Sequence, residues 1–112
     1  NNQLDNWDDI PVIKNLHVHS NVYSINNKEN KVDTEGGGGI VFNSKYVRIY
    51  NCIHSGFINS NCGSIYKGNY LNNSFIYIYG CNSYSEMIGE KCGGIIHLDN
   101  IITFTIMIYN NI

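Results

Sequence analysis

The sequence predicts an all-β fold, specifically a right-handed parallel β-helix of about four coils with roughly 30 residues in each coil. Three observations predict it: a β-rich composition, four strand-like segments at similar intervals, and a glycine motif that recurs at a similar interval. A single coil cannot bury its apolar face alone, whereas stacked coils bury a continuous core. The right hand is expected because parallel strand connections are overwhelmingly right-handed.

The composition favours pleated strands and turns over helices. The apolar residues are mostly Ile, Val and Tyr, the polar ones mostly Asn and Ser, and the chain has 1 Pro and no Ala. Ile, Val and Tyr suit half-buried strands, and Asn and Gly suit turns. Charged residues make up 14% of the chain, with 7 Lys and Arg against 9 Asp and Glu. No basic run is present, so nucleic acid is not an expected partner.

Four segments share one pattern of an apolar residue, a variable residue, an apolar residue and then His or Tyr. They begin at Leu16, Val47, Ile76 and Ile106, which are 31, 29 and 30 residues apart. Alternation with a period of two places the first and third residues of each segment on one face. The predicted inward ladders are Leu16, Val18, Val47, Ile49, Ile76, Ile78, Ile106 and Ile108.

A glycine motif and the cysteines follow the same repeat. The motif reads Gly38-Gly39-Ile40, Gly63-Ser64-Ile65 and Gly93-Gly94-Ile95. Cys52 and Cys81 follow two of the strand segments, and Cys62 and Cys92 precede two of the glycine motifs. Cys52 is therefore expected to stack on Cys81, and Cys62 on Cys92, either as disulfides or as reduced buried ladders. Reduced ladders are slightly favoured, because an unstrained disulfide needs more than a suitable Cα separation.

The glycine motifs GGGI, CGSI and CGGI, with Asn-rich turns such as FINSN, resemble the polymorphic outer-membrane-protein type of repeat. The resemblance covers roughly residues 36–112. The second motif of that family, Phe-x-x-Asn, is displaced here, since the third residue after Phe57 is Ser60. Such repeats occur in bacterial autotransporter passengers and in surface proteins of some protists. The resemblance implies a right-handed β-helix at a cell surface, in several cases with an adhesive role.

The outward positions of the strand segments include a series of aromatic residues. These positions form the candidate interaction face, which consists of His19, Tyr50, Tyr77, Tyr79 and Tyr109. Tyrosine is favoured at protein interfaces, and its ring can also stack on a sugar. The alternative is that neighbouring aromatic residues only stabilise one another across strands.

No catalytic or metal-binding motif is recognised. The cysteines at 52, 62, 81 and 92 lack the close Cys pair typical of structural zinc sites. His17 and His19 project from the same strand face, but exposed strand histidines are common. The carboxylate pairs Asp33 with Glu35 and Glu86 with Glu90 lie outside the strand segments. The sequence therefore predicts no enzyme activity, no cofactor and no metal.

These observations predict a non-enzymatic structural or interaction protein. Residues 1–9 are expected to be irregular, and residues 10–112 to form the β-helix segment of a longer chain with no membrane segment. The expected context is a secreted or cell-surface adhesin-like protein, with a protein or a host-surface glycan as partner and with end-to-end or lateral association. The alternatives are a scaffold subunit of an intracellular or viral assembly and a β-helix that binds or cleaves glycans. The single sequon at Asn72 leaves glycosylation open.

Overall fold

The computed structural model describes residues 6–23, 26–27, 32–33, 36–69, 72–89, 91–99, 103–109 and 111–112. These residues form one short 3-10 helix, Trp7–Asp9, and otherwise strands. The strands are β1 (Val12–Lys14), β2 (His17–His19), β3 (Asn26–Asn27), β4 (Val32–Asp33), β5 (Val41–Phe42), β6 (Tyr46–Tyr50), β7 (Ile53–Ile58), β8 (Tyr66–Asn69), β9 (Asn72–Tyr79), β10 (Asn82–Met87), β11 (Ile96–Asp99) and β12 (Thr103–Tyr109). The prediction that the chain is all-β is confirmed.

The strands are arranged in three parallel sheets and one short antiparallel pair. The four-stranded sheet has the order β1-β6-β9-β12, and the three-stranded sheets have the orders β10-β7-β2 and β11-β8-β5. Strands β3 and β4 form the antiparallel pair. Except for β3 and β4, successive strands along the chain enter different sheets, so each parallel sheet is assembled from distant parts of the sequence.

The prediction of a right-handed parallel β-helix with about four coils of thirty residues is wrong. The strands form separate parallel sheets, and the radius of gyration is 13.8 Å, close to the ~13 Å expected of a compact domain of this length. The interval between paired residues is not constant. Val12 pairs with Arg48, 36 residues later, whereas Val41 pairs with Tyr66, 25 residues later.

Part of the predicted core is present, although its first strand was misplaced. Val47 pairs with Ile76, which in turn pairs with Ile106. Val47, Ile49, Ile76 and Ile78 are all at most 1% exposed. On the side of β6 that faces away from β9, however, the neighbouring strand is β1. Leu16 lies outside that sheet and is 47% exposed. The side chain of Ile106 lies outside the described residues, and Ile108 is 42% exposed because β12 is the last strand of its sheet.

Residues with positive φ end three strands of the four-stranded sheet. Asn15, Asn51 and Gly80 have φ values of 60°, 53° and 69°, and they follow β1, β6 and β9. Asn and Gly adopt this backbone conformation most readily. The chain therefore turns after Asn15 and places His17–His19 beside β7 in a different sheet. This turn is the physical reason why the Leu16 segment does not align with Val47.

The three glycine motifs lie next to one another, as their sequence similarity indicates. Parallel bridges join Gly38 to Gly63 and Gly63 to Gly93. At each of these glycines an added Cβ would overlap the carbonyl group of the residue three positions later in the chain. The recurrent glycine is therefore required by a tight approach of the backbone to itself.

Candidate interaction surface

The outward face of β6 and β9 carries a group of aromatic rings, called here the aromatic surface: Trp7, Tyr50, Phe75, Tyr77 and Tyr79. In β9 the buried residues Ile76 and Ile78 alternate with Phe75, Tyr77 and Tyr79, which therefore point to the opposite face. The parallel register places Tyr77 opposite Arg48 and Tyr79 opposite Tyr50. Residues 29 positions apart in the sequence are thereby brought side by side.

The rings of the aromatic surface form a continuous chain of contacts. The ring of Tyr50 lies 5.5 Å from Tyr77 and 6.4 Å from Tyr79, and the rings of Tyr77 and Tyr79 are nearly parallel at 6.4 Å. Trp7 meets Tyr77 at 5.1 Å and Phe75 at 5.7 Å, in both cases edge to face. All these centroid separations lie within the range of favourable aromatic pairs.

Arg48 attaches the N-terminal helix to this surface. Its guanidinium carbon lies 4.8 Å from the centroid of the Trp7 ring, and its Nε and Nη2 atoms donate to the carbonyl oxygen of Ile10 at 3.3 and 3.1 Å. Arg48 is only 9% exposed. The favourable interaction of its charge with the indole face, together with the two hydrogen bonds, compensates for part of the cost of burying it. Trp7 is thereby held against the sheet, while 42% of it remains exposed.

The structure brings together three of the five residues predicted for the interaction face. Tyr50, Tyr77 and Tyr79 are neighbours, and Tyr109 pairs with Tyr79 in the backbone register although its side chain lies outside the described residues. The placement of His19 on this face is wrong, because β2 pairs with β7 in another sheet.

Sequence reasoning missed Trp7 and Phe75. Phe75 precedes Tyr77 by two residues on the same strand, so the alternation of β9 gave a usable signal for it. No local signal placed Trp7, because its contact with Arg48 joins residues that are far apart in the sequence.

Cys52 lies next to Cys81, and Cys62 lies next to Cys92. The backbone NH of Cys52 points to the Sγ atom of Cys81 at 3.5 Å, and the residue after Cys92 donates its backbone NH to the Cys62 carbonyl at 2.9 Å. All four are free thiols in the structure, and all but Cys92 are buried. Burial raises the pKa of the Cys62, Cys81 and Cys92 thiols. Thiols of this kind are poor nucleophiles at neutral pH, because the thiolate is the reactive form.

A buried polar cluster surrounds His54. The Nδ1 atom of its imidazole lies 2.5 Å from the Ser85 hydroxyl, and the Nε2 atom lies 3.1 Å from the Ser20 hydroxyl. The Ser64 hydroxyl continues the chain 3.1 Å from Ser85. His54 is fully buried, and this burial lowers its pKa. A neutral imidazole has one donor and one acceptor, so two hydroxyl partners satisfy it.

The remaining candidate positions provide no acidic site among the described residues. Glu86 is exposed on β10, whereas Glu35, Glu90 and the side chain of Asp33 lie outside the described residues. Across the part of the chain that the structure describes, no group of three or more His, Cys, Asp and Glu residues is placed to hold a metal ion. Within the same residues, no helix has the length and apolar character needed to cross a membrane.

Comparison of the chain with protein-family models, curated proteins and solved structures gives no significant match. The resemblance to polymorphic outer-membrane-protein repeats therefore rests on the glycine and asparagine motifs of the sequence alone.

Proposed function

We propose that this chain is a non-enzymatic interaction domain that binds a partner protein through the aromatic surface. The observation that carries the proposal is the unbroken contact of Trp7, Phe75, Tyr77, Tyr50 and Tyr79 on one sheet face. Tryptophan, tyrosine and arginine dominate the binding energy of protein interfaces, because they provide large rigid contact areas with polar ends.

Mutual stabilisation across strands does not account for the whole surface. It explains why Tyr50 lies beside Tyr79, since opposite aromatic residues stabilise a sheet. It does not explain why the indole of Trp7 is held over the sheet with 42% of the residue exposed, or why Tyr79 is 38% exposed. Exposed aromatic residues within one contiguous apolar surface are typical of interaction sites.

The biological setting is proposed from the sequence motifs. Their resemblance to surface-protein repeats supports a secreted or cell-surface, adhesin-like protein. The free buried thiols support the alternative of a scaffold subunit in a reducing compartment, where disulfides are rare. Glycan binding is a second candidate function, supported by the nearly parallel rings of Tyr77 and Tyr79.

Substitution of two neighbouring rings of the aromatic surface, Tyr77 and Tyr79, tests the proposal. We would measure binding of labelled protein to arrays of matrix proteins, cell-surface proteins and purified glycans. The double variant Tyr77→Ser/Tyr79→Ser is compared with Tyr84→Ser, whose ring is 65% exposed but belongs to a different sheet. Circular dichroism and thermal unfolding establish that each variant is folded.

We expect the double variant to bind its partner at least about 30-fold more weakly, because the loss of even one interface hot spot costs about 2 kcal/mol or more. Tyr84→Ser is expected to bind like the wild type. A protein ligand supports the primary proposal, and a glycan ligand supports the second candidate. Equal binding by the double variant and by Tyr84→Ser would show that the aromatic surface is not the binding site.

A further inference from the structure

Two histidines of β2 converge on one hydroxyl group of the neighbouring strand. His17 and His19 are two residues apart on a strand, so their imidazoles project from the same face, and both are exposed. Nε2 of His17 lies 3.3 Å from Ser55 Oγ, and Nδ1 of His19 lies 2.8 Å from the same atom. The parallel pairing of β2 with β7 places Ser55 directly opposite His19.

This convergence presents two ring nitrogens to one point in space. A neutral imidazole carries its lone pair on the nitrogen that lacks the proton, and its two tautomers differ only in which nitrogen that is. Nε2 of His17 and Nδ1 of His19 can therefore act as ligands at the same time. Imidazole nitrogen is a preferred ligand of zinc, nickel and copper ions.

We propose that His17 and His19 bind a divalent transition-metal ion of the zinc class, next to the Ser55 hydroxyl. Zinc–nitrogen bonds are about 2.0–2.1 Å long, so the rings have to rearrange from their hydrogen bonds to Ser55 to hold an ion between them. Both side chains are exposed on the surface of the sheet. The other coordination positions are filled by water, and the site therefore binds less tightly than a structural site with four protein ligands.

The pair differs from two unrelated surface histidines in one respect, because one nitrogen of each ring lies within hydrogen-bonding distance of the same hydroxyl oxygen. The plainer account, in which two surface histidines only share a serine hydroxyl, predicts no tighter metal binding than isolated histidines show.

Zinc titration of tag-free protein distinguishes these accounts. Isothermal titration calorimetry with Zn²⁺ is performed on the wild type, on His17→Ala, on His19→Ala and on the double variant. Lys14→Gln, an exposed change on a strand of another sheet, is the matched control. All of these positions are exposed, so the variants are expected to remain folded, and circular dichroism verifies this.

We expect one Zn²⁺ ion per wild-type chain and an affinity at least about tenfold lower in each single variant, because the second imidazole binds intramolecularly. The double variant is expected to lose little more than either single variant, since removing one ligand already abolishes chelation. Unchanged affinity in a single variant, or losses that simply add in the double variant, would overturn the proposal. So would the absence of zinc binding to the wild type.

Discussion

Substitution of glycine by alanine is predicted to have opposite effects on stability at the first and second positions of the glycine motif. Gly63 and Gly94 occupy the first and second positions of their motifs. A Cβ at residue 63 would lie 2.9 Å from the carbonyl carbon of Tyr66 and closer still to its oxygen. A Cβ at residue 94 would have only Met87 Cε nearby, at 3.8 Å, which is ordinary van der Waals contact.

Gly63→Ala is therefore expected to destabilise the fold. The overlap is with backbone atoms, so relief requires a backbone shift, and overpacking of this kind costs about 1–3 kcal/mol. The lower entropy of the unfolded alanine chain offsets about 0.4–1 kcal/mol of this loss. A net loss of about 1–2 kcal/mol in a chain of 112 residues corresponds to a decrease in Tm of about 4–8 °C.

Gly94→Ala is expected to leave Tm unchanged or to raise it, since the same entropy term then acts with little steric cost. Thermal unfolding followed by circular dichroism, and urea unfolding at 25 °C, would be measured for both variants and the wild type. Equal destabilisation by the two substitutions would refute the steric argument. A stable Gly63→Ala variant would show that the backbone does not approach itself at this point.

Two further predictions concern buried groups. Burial holds the pKa of His54 in the folded state below its value in the unfolded state, so protonation favours unfolding. The free energy of unfolding is therefore highest above about pH 6.5 and decreases as the pH falls from there towards the folded-state pKa. Urea unfolding from pH 7.5 to 5.0 should show this loss for the wild type and a smaller loss for His54→Gln; equal losses would contradict it. Oxidation of purified protein with diamide, followed by non-reducing peptide mapping, should give only Cys52–Cys81 and Cys62–Cys92 bridges. A Cys52–Cys62 bridge would contradict the observed stacking.

The features that the sequence predicted correctly depend on local chemistry. The alternation of β-branched and aromatic residues in β6 and β9 identifies both strands, their buried faces and three tyrosines of the aromatic surface. The first glycine of each repeated motif identifies a position where any side chain would overlap the backbone. In each case neighbouring residues carry enough information, because the side-chain period and the steric limits are intrinsic to the backbone.

The features that the sequence did not predict depend on competition between similar segments for the same place in a sheet, or on contacts between distant residues. Leu16–His19 matches the strand pattern as well as Val12–Lys14 does, and the turn at Asn15 decides which of them lies beside β6. A recurring interval does not determine how many separate sheets the strands form, which is why the solenoid prediction was wrong. The contact of Trp7 with Arg48 is long-range and has no periodic signal.

The aromatic surface exists only if β6 and β9 are parallel and aligned with Arg48 opposite Tyr77 and Tyr50 opposite Tyr79. Nuclear Overhauser contacts in uniformly ¹³C,¹⁵N-labelled protein measure this alignment directly. We expect amide-to-Hα contacts characteristic of a parallel pair in this register, including one that joins the amide of Asn51 to Tyr79, whose carbonyl accepts its hydrogen bond at 3.0 Å. An antiparallel contact pattern would contradict the account because the pairs Arg48–Tyr77 and Tyr50–Tyr79 could not both form. A register shifted by one residue would contradict it because the rings of the two strands would lie on opposite faces.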